Sequence, residues 1–197
     1  YRNPVMVLTD GRLGQMMEPT LLSDRPPPPV PPKPWALAGC KGRRPQCIRS
    51  LLLAEGALEE HNRRLQRKYA DIRKNLSVFE ERNTGDCDFL LIAYGTSARI
   101  AKGAVAAARQ KGLRAGLFRP VTLWPFPAAR LRELARRCRG LLVVEMSAGQ
   151  MIEDVRLSVG DGVPVFFEGR MGGGVPTEST LLARIEEMAA GGKGGNP

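Results

Sequence analysis

Between residues 88 and 189, short continuous apolar runs alternate with segments whose apolar positions recur every three or four residues. "DFLLIAYG" reads as a buried strand, and "TSARIAKGAVAAARQKG" as an Ala-rich helix entered through Thr96 or Ser97 as N-cap and closed by Gly112. "LRAGLFRP" predicts the second strand and "PAARLRELARRCRG" the second helix, with Pro127 near its first turn and Gly140 past its end. "LLVVEM" and "QMIEDVRLSV" form the third pair, with Glu153 and Asp154 in the helix's first turn as dipole partners. "VPVFFEG", the loop "RMGGGVP" and "TESTLLARIEEMA" form the fourth. Strands and helices alternating at these lengths imply parallel pairing and a three-layer α/β/α domain.

Upstream the pattern changes. "NPVMVLTDG" contains a strand-like run, Val5 to Leu8, and the chain starts at Tyr1 already close to it, so we read it as a piece of a longer polypeptide. Seven of the sixteen prolines lie between Pro26 and Pro34. Such a segment stays extended and semi-rigid, as a linker or, alternatively, as a docking peptide for a proline-binding module. "GALEEHNRRLQRKYADIRKNL" places Leu58, Leu65, Tyr69, Ile72 and Leu76 on one helical stripe, which predicts an amphipathic helix packed on the α/β domain after it. The single histidine, His61, lies in it and reads as a surface residue.

Charge adds one feature. The net charge is +10, and from Arg99 to Arg139 eleven basic residues face one acid, Glu133. That field is either a solvated face or an attractor for an acidic protein or phosphorylated ligand; no nucleic-acid-binding signature accompanies it. No apolar run approaches the roughly 20 residues of a membrane span, and no signal-peptide pattern is visible. A cytoplasmic protein without membrane or nucleic-acid partners is therefore expected. Cys40, Cys47, Cys87 and Cys138 are scattered, without the tight spacing of metal or cluster sites, and read as free thiols.

Ligands and partners of parallel sheets collect beyond the carboxyl ends of the strands. Three segments are expected there: Tyr94, Gly95, Thr96 and Ser97; the corner Trp124, Pro125 and Phe126; and Glu145, Met146 and Gln150. Rigid aromatics at a proline-stiffened corner suit an interface. Catalytic machinery is sparse. "YGTSAR" lacks the Gly-x-Ser-x-Gly elbow and a histidine partner, "GRMGGGVP" lacks the Walker lysine, and Asp10, Glu145, Glu153 and Asp154 are dispersed.

Seven ordered segments carry a family resemblance: "YRNPVMVLTDGRLGQMMEP", the proline run with "KPWAL", "LEEHNRRLQRKY", "LLIAYGTSARIAKGAV", "GLFRPVTLWPFP", "LLVVEMSAGQMIEDVRL" and "FEGRMGGGVP". Together they resemble the alpha subunit of 2-oxoacid:ferredoxin oxidoreductases, most closely the 3-methyl-2-oxobutanoate (2-ketoisovalerate) type. The resemblance implies that residues 1–22 end a domain binding the pyrimidine of thiamine diphosphate. Residues 23–56 would be a Pro-rich linker, 57–86 a helix and connection, 87–190 a transketolase C-terminal-like domain, and 191–197 a disordered tail. It also implies a mainly parallel five-stranded sheet with an antiparallel edge strand.

In this family a beta subunit holds the diphosphate through Mg²⁺ and carries an iron–sulfur cluster, and gamma and delta subunits complete the complex. The reaction oxidatively decarboxylates a 2-oxoacid, with coenzyme A as co-substrate and ferredoxin as acceptor. No matched segment contains a catalytic residue, so the resemblance implies a structural and assembly role, no cofactor held by this chain alone, and no activity in isolation. The strand-end residues carry over as interface or active-site rim. A non-catalytic interaction module with a basic face is the alternative.

Overall fold

A computed structural model describes residues 1–22, 24–27 and 29–191. Most of the expected tail, and Ser23 and Pro28 of the expected linker, lie outside them. The chain divides into two compact units, residues 17–68 and residues 1–16 together with 69–197. The described residues between 17 and 56 form turns and extended chain without helix or strand. The helix α1, Ala57–Asn75, begins in this unit, where Glu59 pairs with Arg63 at 2.6 Å and Glu60 with Arg67 at 3.4 Å.

The larger unit is built on a five-stranded sheet: β1 (Phe79–Arg82), β2 (Phe89–Ala93), β3 (Ala115–Pro120), β4 (Gly140–Glu145) and β5 (Val165–Gly169), in the order β1-β3-β2-β4-β5. β2 pairs in parallel with β3 and β4, β4 with β5, and β1 runs antiparallel along β3. The helices are α2 (Gly95–Gln110), α3 (Ala128–Ala135), α4 (Met151–Val159) and α5 (Glu178–Ala189). This is the expected three-layer α/β/α architecture with a mainly parallel sheet and one antiparallel edge.

The period-two alternation of strand side chains sorts the core into two layers. Phe89, Leu91, Ala93, Leu117, Leu142 and Val144 meet α2 and α5 on one face. Leu90, Ile92, Phe118, Leu141 and Val143 meet α3 and α4 on the other. On the first face alanines at 98, 101, 104 and 108 let α2 lie close to the sheet. Gly103 takes α2 against the start of α5: a Cβ there would collide with the Glu178 carboxylate.

Four local expectations change. Val5 to Leu8 form no strand and are exposed, because no described strand runs beside them to take their backbone hydrogen bonds. Of the α1 stripe, Ile72 is buried and Tyr69 meets the Trp124 ring edge-on at 5.8 Å, while Leu58 and Leu76 are exposed. β1 lies inside the expected connection 57–86; its alternating half-exposed residues, "FEER", carry too few apolar positions to register as a strand. Thr96 and Ser97 are inside the first turn of α2, with Tyr94 at the N-cap position and no side chain of its own capping the helix.

Five of the eleven basic residues in the stretch pair with acids of the chain. Arg109 pairs with Asp86 at 2.6 Å, Arg114 with Asp88 at 2.7 Å, Arg119 with Glu80 at 2.8 Å and Lys111 with Glu186 at 2.6 Å. Arg130 takes Glu81 at 2.6 Å and 3.0 Å and Glu133 at 2.7 Å, tying α3 to the edge strand. The Arg130 hydrogen bonds hold the Glu81 carboxyl below its ordinary value of 4.5; burial opposes this, and the Thr84 hydroxyl and the Arg130 and Arg137 charges add to it.

A carboxyl lowered on folding stabilises the fold above its unfolded pKa, and that contribution disappears as pH falls through the lower, folded value. We therefore expect the native chain to lose about 1 kcal/mol more stability than Glu81→Gln between neutral pH and about pH 3. Urea midpoints measured across that range check it; parallel profiles for the two proteins would refute it.

Candidate functional site

β2 and β4 lie side by side, yet the helices after them leave for opposite faces, α2 to one and α4 to the other. Such divergence opens a crevice beyond the carboxyl ends of the two strands, the usual ligand position in α/β sheets. A cavity of about 190 Å³ lies there, lined from the sheet by Tyr94, Gly95, Ser97, Val144, Glu145 and Met146. Its other wall comes from the N-terminal segment, through Leu8, Thr9, Asp10 and Leu13.

Asp10 joins the two walls. Its carboxylate accepts the Leu13 N–H at 2.8 Å, closing a 3₁₀ turn over Leu13–Gln15, and the Thr96 N–H at 3.4 Å. The acid thus caps its own short turn and, from 86 residues away, the positive end of the α2 dipole. Burial acts to raise its pKa, but the hydrogen bonds from Leu13 and Thr96 outweigh it and leave the group lowered. Gly95 permits this approach. It has φ +56°, a backbone conformation that side-chain-bearing residues rarely adopt, and it is this turn that aims the Thr96 N–H at Asp10.

Glu145 does for α4 what Asp10 does for α2. It is the last residue of β4 and 1% exposed, and its two oxygens accept the backbone N–H groups of Gln150 (3.0 Å), Met151 (3.0 Å) and Ile152 (2.9 Å). The Ser147 hydroxyl donates a fourth bond at 3.0 Å. A buried carboxylate would be costly alone; here the first turn of α4 satisfies it. Its charge reaches two neighbours. Burial, then Glu145, raises the Tyr94 phenol, and burial with Glu145 and Glu153 raises Asp154. Tyr94 therefore stays a neutral hydroxyl at physiological pH.

The expected site residues separate into groups. Tyr94, Gly95, Ser97, Glu145 and Met146 are together at the crevice. Glu145 lines the crevice while its carboxylate is drawn inward by the α4 amides. Thr96 is buried behind the crevice, bonded through its amide to Asp10, and Gln150 is exposed at the N-cap of α4. The corner lies apart: Trp124, Pro125 and Phe126 do not line the cavity.

At that corner a cis Trp124–Pro125 bond precedes α3; Pro125 is buried, Phe126 packs on the α3–α4 side of the core, and Trp124 remains 54% exposed beside Tyr69. In the sequence Asp10 stands out only as one of several dispersed acids. Its signal is local: an acid three residues before the Leu13 amide, ahead of a glycine, forms a turn cap.

The crevice is small, and its acids cap the helices beside it. Its volume is below the roughly 300–1,000 Å³ of sites for drug-sized ligands, and both its carboxylates are already committed to helix starts. It does not fit a whole thiamine diphosphate or coenzyme A. Among the described residues no group of three or more His, Cys, Asp or Glu side chains could hold a metal ion, and no helix is long and apolar enough to cross a membrane.

Residues 87–181 match the family described as pyruvate:ferredoxin oxidoreductase core domain II. They begin just before β2 and end within α5, so the match covers the parallel sheet and its covering helices. At the level of whole chains, the protein is 42% identical over 189 residues to ketoisovalerate oxidoreductase subunit VorB of Methanothermobacter marburgensis, covering 96% of this chain and 53% of that protein. It is 32% identical over 215 residues to 2-oxoglutarate synthase subunit KorA of Methanothermobacter thermautotrophicus, covering 95% and 57%.

Among solved structures, a 2-oxoglutarate:ferredoxin oxidoreductase from Magnetococcus marinus superposes with a TM-score of 0.62 at 20% identity, over 70% of this chain and 24% of that one. At that identity the likeness concerns the fold. The chain spans about half the length of the curated relatives it matches. Along almost all of its length the chain is similar to subunits of 2-oxoacid oxidoreductases, VorB among them.

The Glu145 arrangement predicts that Glu145→Gln destabilises the fold by about 2–3 kcal/mol, because a carboxamide brings an N–H donor against backbone donors. Hydrogen exchange should accelerate at Gln150, Met151 and Ile152 before the rest of the sheet. An unchanged exchange rate at those three amides would remove the capping role.

Proposed function

We propose that this chain is the C-terminal part of the alpha subunit of a 2-oxoacid:ferredoxin oxidoreductase of the ketoisovalerate type. In this reading the complex converts a branched-chain 2-oxoacid to its acyl-CoA and passes the electrons to ferredoxin. Its transketolase C-terminal-like domain supplies a rigid platform for assembly and one wall of an interdomain crevice. The observation that carries the proposal is 42% identity to VorB sustained over 96% of the chain.

We assign thiamine diphosphate, Mg²⁺ and iron–sulfur clusters to other parts of the complex, as the family resemblance implies. The beta subunit, and gamma and delta subunits where present, are the proposed partners. In this assignment the chain's own residues orient rather than react. Glu145 fixes the start of α4, Asp10 fixes the preceding segment against α2, and Trp124 offers an exposed aromatic on a stiff support.

The alternative, an interaction module acting through a basic face, is weakened by the internal pairing of Arg109, Lys111, Arg114, Arg119 and Arg130. A chimera separates the two. This chain replaces the matching half of the M. marburgensis VorB and is co-expressed with that enzyme's other subunits. We expect assembly and ketoisovalerate-dependent reduction of a viologen dye; an assembled chimera without turnover would refute the enzyme reading.

In the same complex Trp124→Ala should leave the circular dichroism of the isolated chain unchanged and weaken assembly by roughly 30-fold, the scale of a hot-spot aromatic of about 2 kcal/mol. Unfolding of the isolated variant would place Trp124 in the core instead.

A further inference from the structure

At the opposite end of the sheet from the crevice, Cys87 and Cys138 stand with their sulfurs 3.7 Å apart. Their proximity comes from strand register. β2 and β4 pair from Phe89↔Gly140 to Ala93↔Val144. The Asp88 carbonyl extends the pairing by accepting the Arg139 N–H at 2.7 Å and the Gly140 N–H at 3.4 Å. One step further back, the same offset sets Cys87 opposite Cys138. Adjacent strands are spaced about 4.8 Å apart, inside the roughly 4.4–6.8 Å Cα window of disulfides.

We propose that Cys87 and Cys138 form a redox-active dithiol, a modification site that a hydroperoxide converts into an intramolecular disulfide across the entrance of β2 and β4. Three observations support it. The strand pairing that begins at Phe89↔Gly140 brings the residues just before it close together, and closure takes the two sulfurs from 3.7 Å to about 2.05 Å. Cys138 is half-buried, which gives a small oxidant a way in, while Cys87 is 5% exposed and held in the core beside Leu131 and Leu134. The thiols are also electronically distinct. A hydrogen bond from Cys138 lowers the Cys87 thiol against the effect of burial, with help from the Arg137 and Arg109 charges, and the same bond and burial raise Cys138.

The chemistry balances. One thiolate of the pair attacks the O–O bond of the hydroperoxide, forming an S–OH group and releasing water, or an alcohol, once the leaving oxygen is protonated. The other thiol then attacks that sulfur, its S–H proton leaves with the hydroxyl as water, and the S–S bond forms. Two electrons pass from the two thiols to one peroxide. Cys40 and Cys47, both exposed in the other unit, are not part of the pair.

The test uses the full chain carrying Cys40→Ser and Cys47→Ser, treated in its native state with hydrogen peroxide and then alkylated. We expect both remaining thiols to disappear together, the intact mass to fall by two hydrogen atoms, and one linked peptide pair containing Cys87 and Cys138, all reversed by dithiothreitol. Adding either Cys87→Ser or Cys138→Ser should abolish the crosslink and the two-hydrogen mass loss. Oxygen addition without a crosslink, disulfide-linked dimers, or a crosslink formed only after denaturation would each overturn the proposal. Peptide mapping of the wild-type chain gives the same readout if the serine variants fold poorly.

Discussion

The central strand pair is the constraint that shapes every other element of the domain. Leu90, Leu91, Ile92 and Ala93 of β2 and Leu141, Leu142, Val143 and Val144 of β4 are entirely removed from solvent. A strand apolar on both faces needs cover on both, and each large side chain so buried contributes roughly 1.5–3 kcal/mol. One layer of helices cannot supply it. The chain therefore sends α2 and α5 to one side and α3 and α4 to the other, and where α2 and α4 part company a crevice opens. Fold stability and binding geometry have the same origin.

Backbone donors at the two diverging helices meet that constraint in a matched way. A helix starting at the edge of a buried sheet has N–H groups without intrahelical partners. For α4 the partner is the last residue of the preceding strand, Glu145, and for α2 it is Asp10, brought from the N-terminal segment. Neither helix is capped by its own N-cap side chain. Both acids at the crevice therefore serve as helix caps.

The regular half of the chain is legible in the sequence because each element carries an unmixed signal. "LLVVEM" has the continuous apolar run of a doubly covered strand, and Thr177 caps α5 by accepting the Thr180 N–H at 3.1 Å, as its position before "ESTLLARIEE" implies. β1 escapes the pattern reading because an edge strand half in solvent needs few apolar residues, and the antiparallel edge is expected only from the family resemblance. Val5–Leu8 mislead in the opposite sense: β-propensity describes a preference, and a strand exists only beside another. Of the site, the residues at the β2 and β4 ends are legible from topology. Asp10 and the Cys87–Cys138 proximity are not, since both depend on contacts between positions 86 and 51 residues apart.

The Asp10 link also sets how stiff the joint between the leading segment and the sheet domain can be. A helix cap contributes typically about 1 kcal/mol. Taken by itself, a bond of that size is broken in roughly one molecule in six at room temperature. The segment that walls the crevice is thus held as a weak spring would hold it, closely enough to define an average position and loosely enough to yield. A push on residues 8–13 would widen or narrow the gap at small energetic expense.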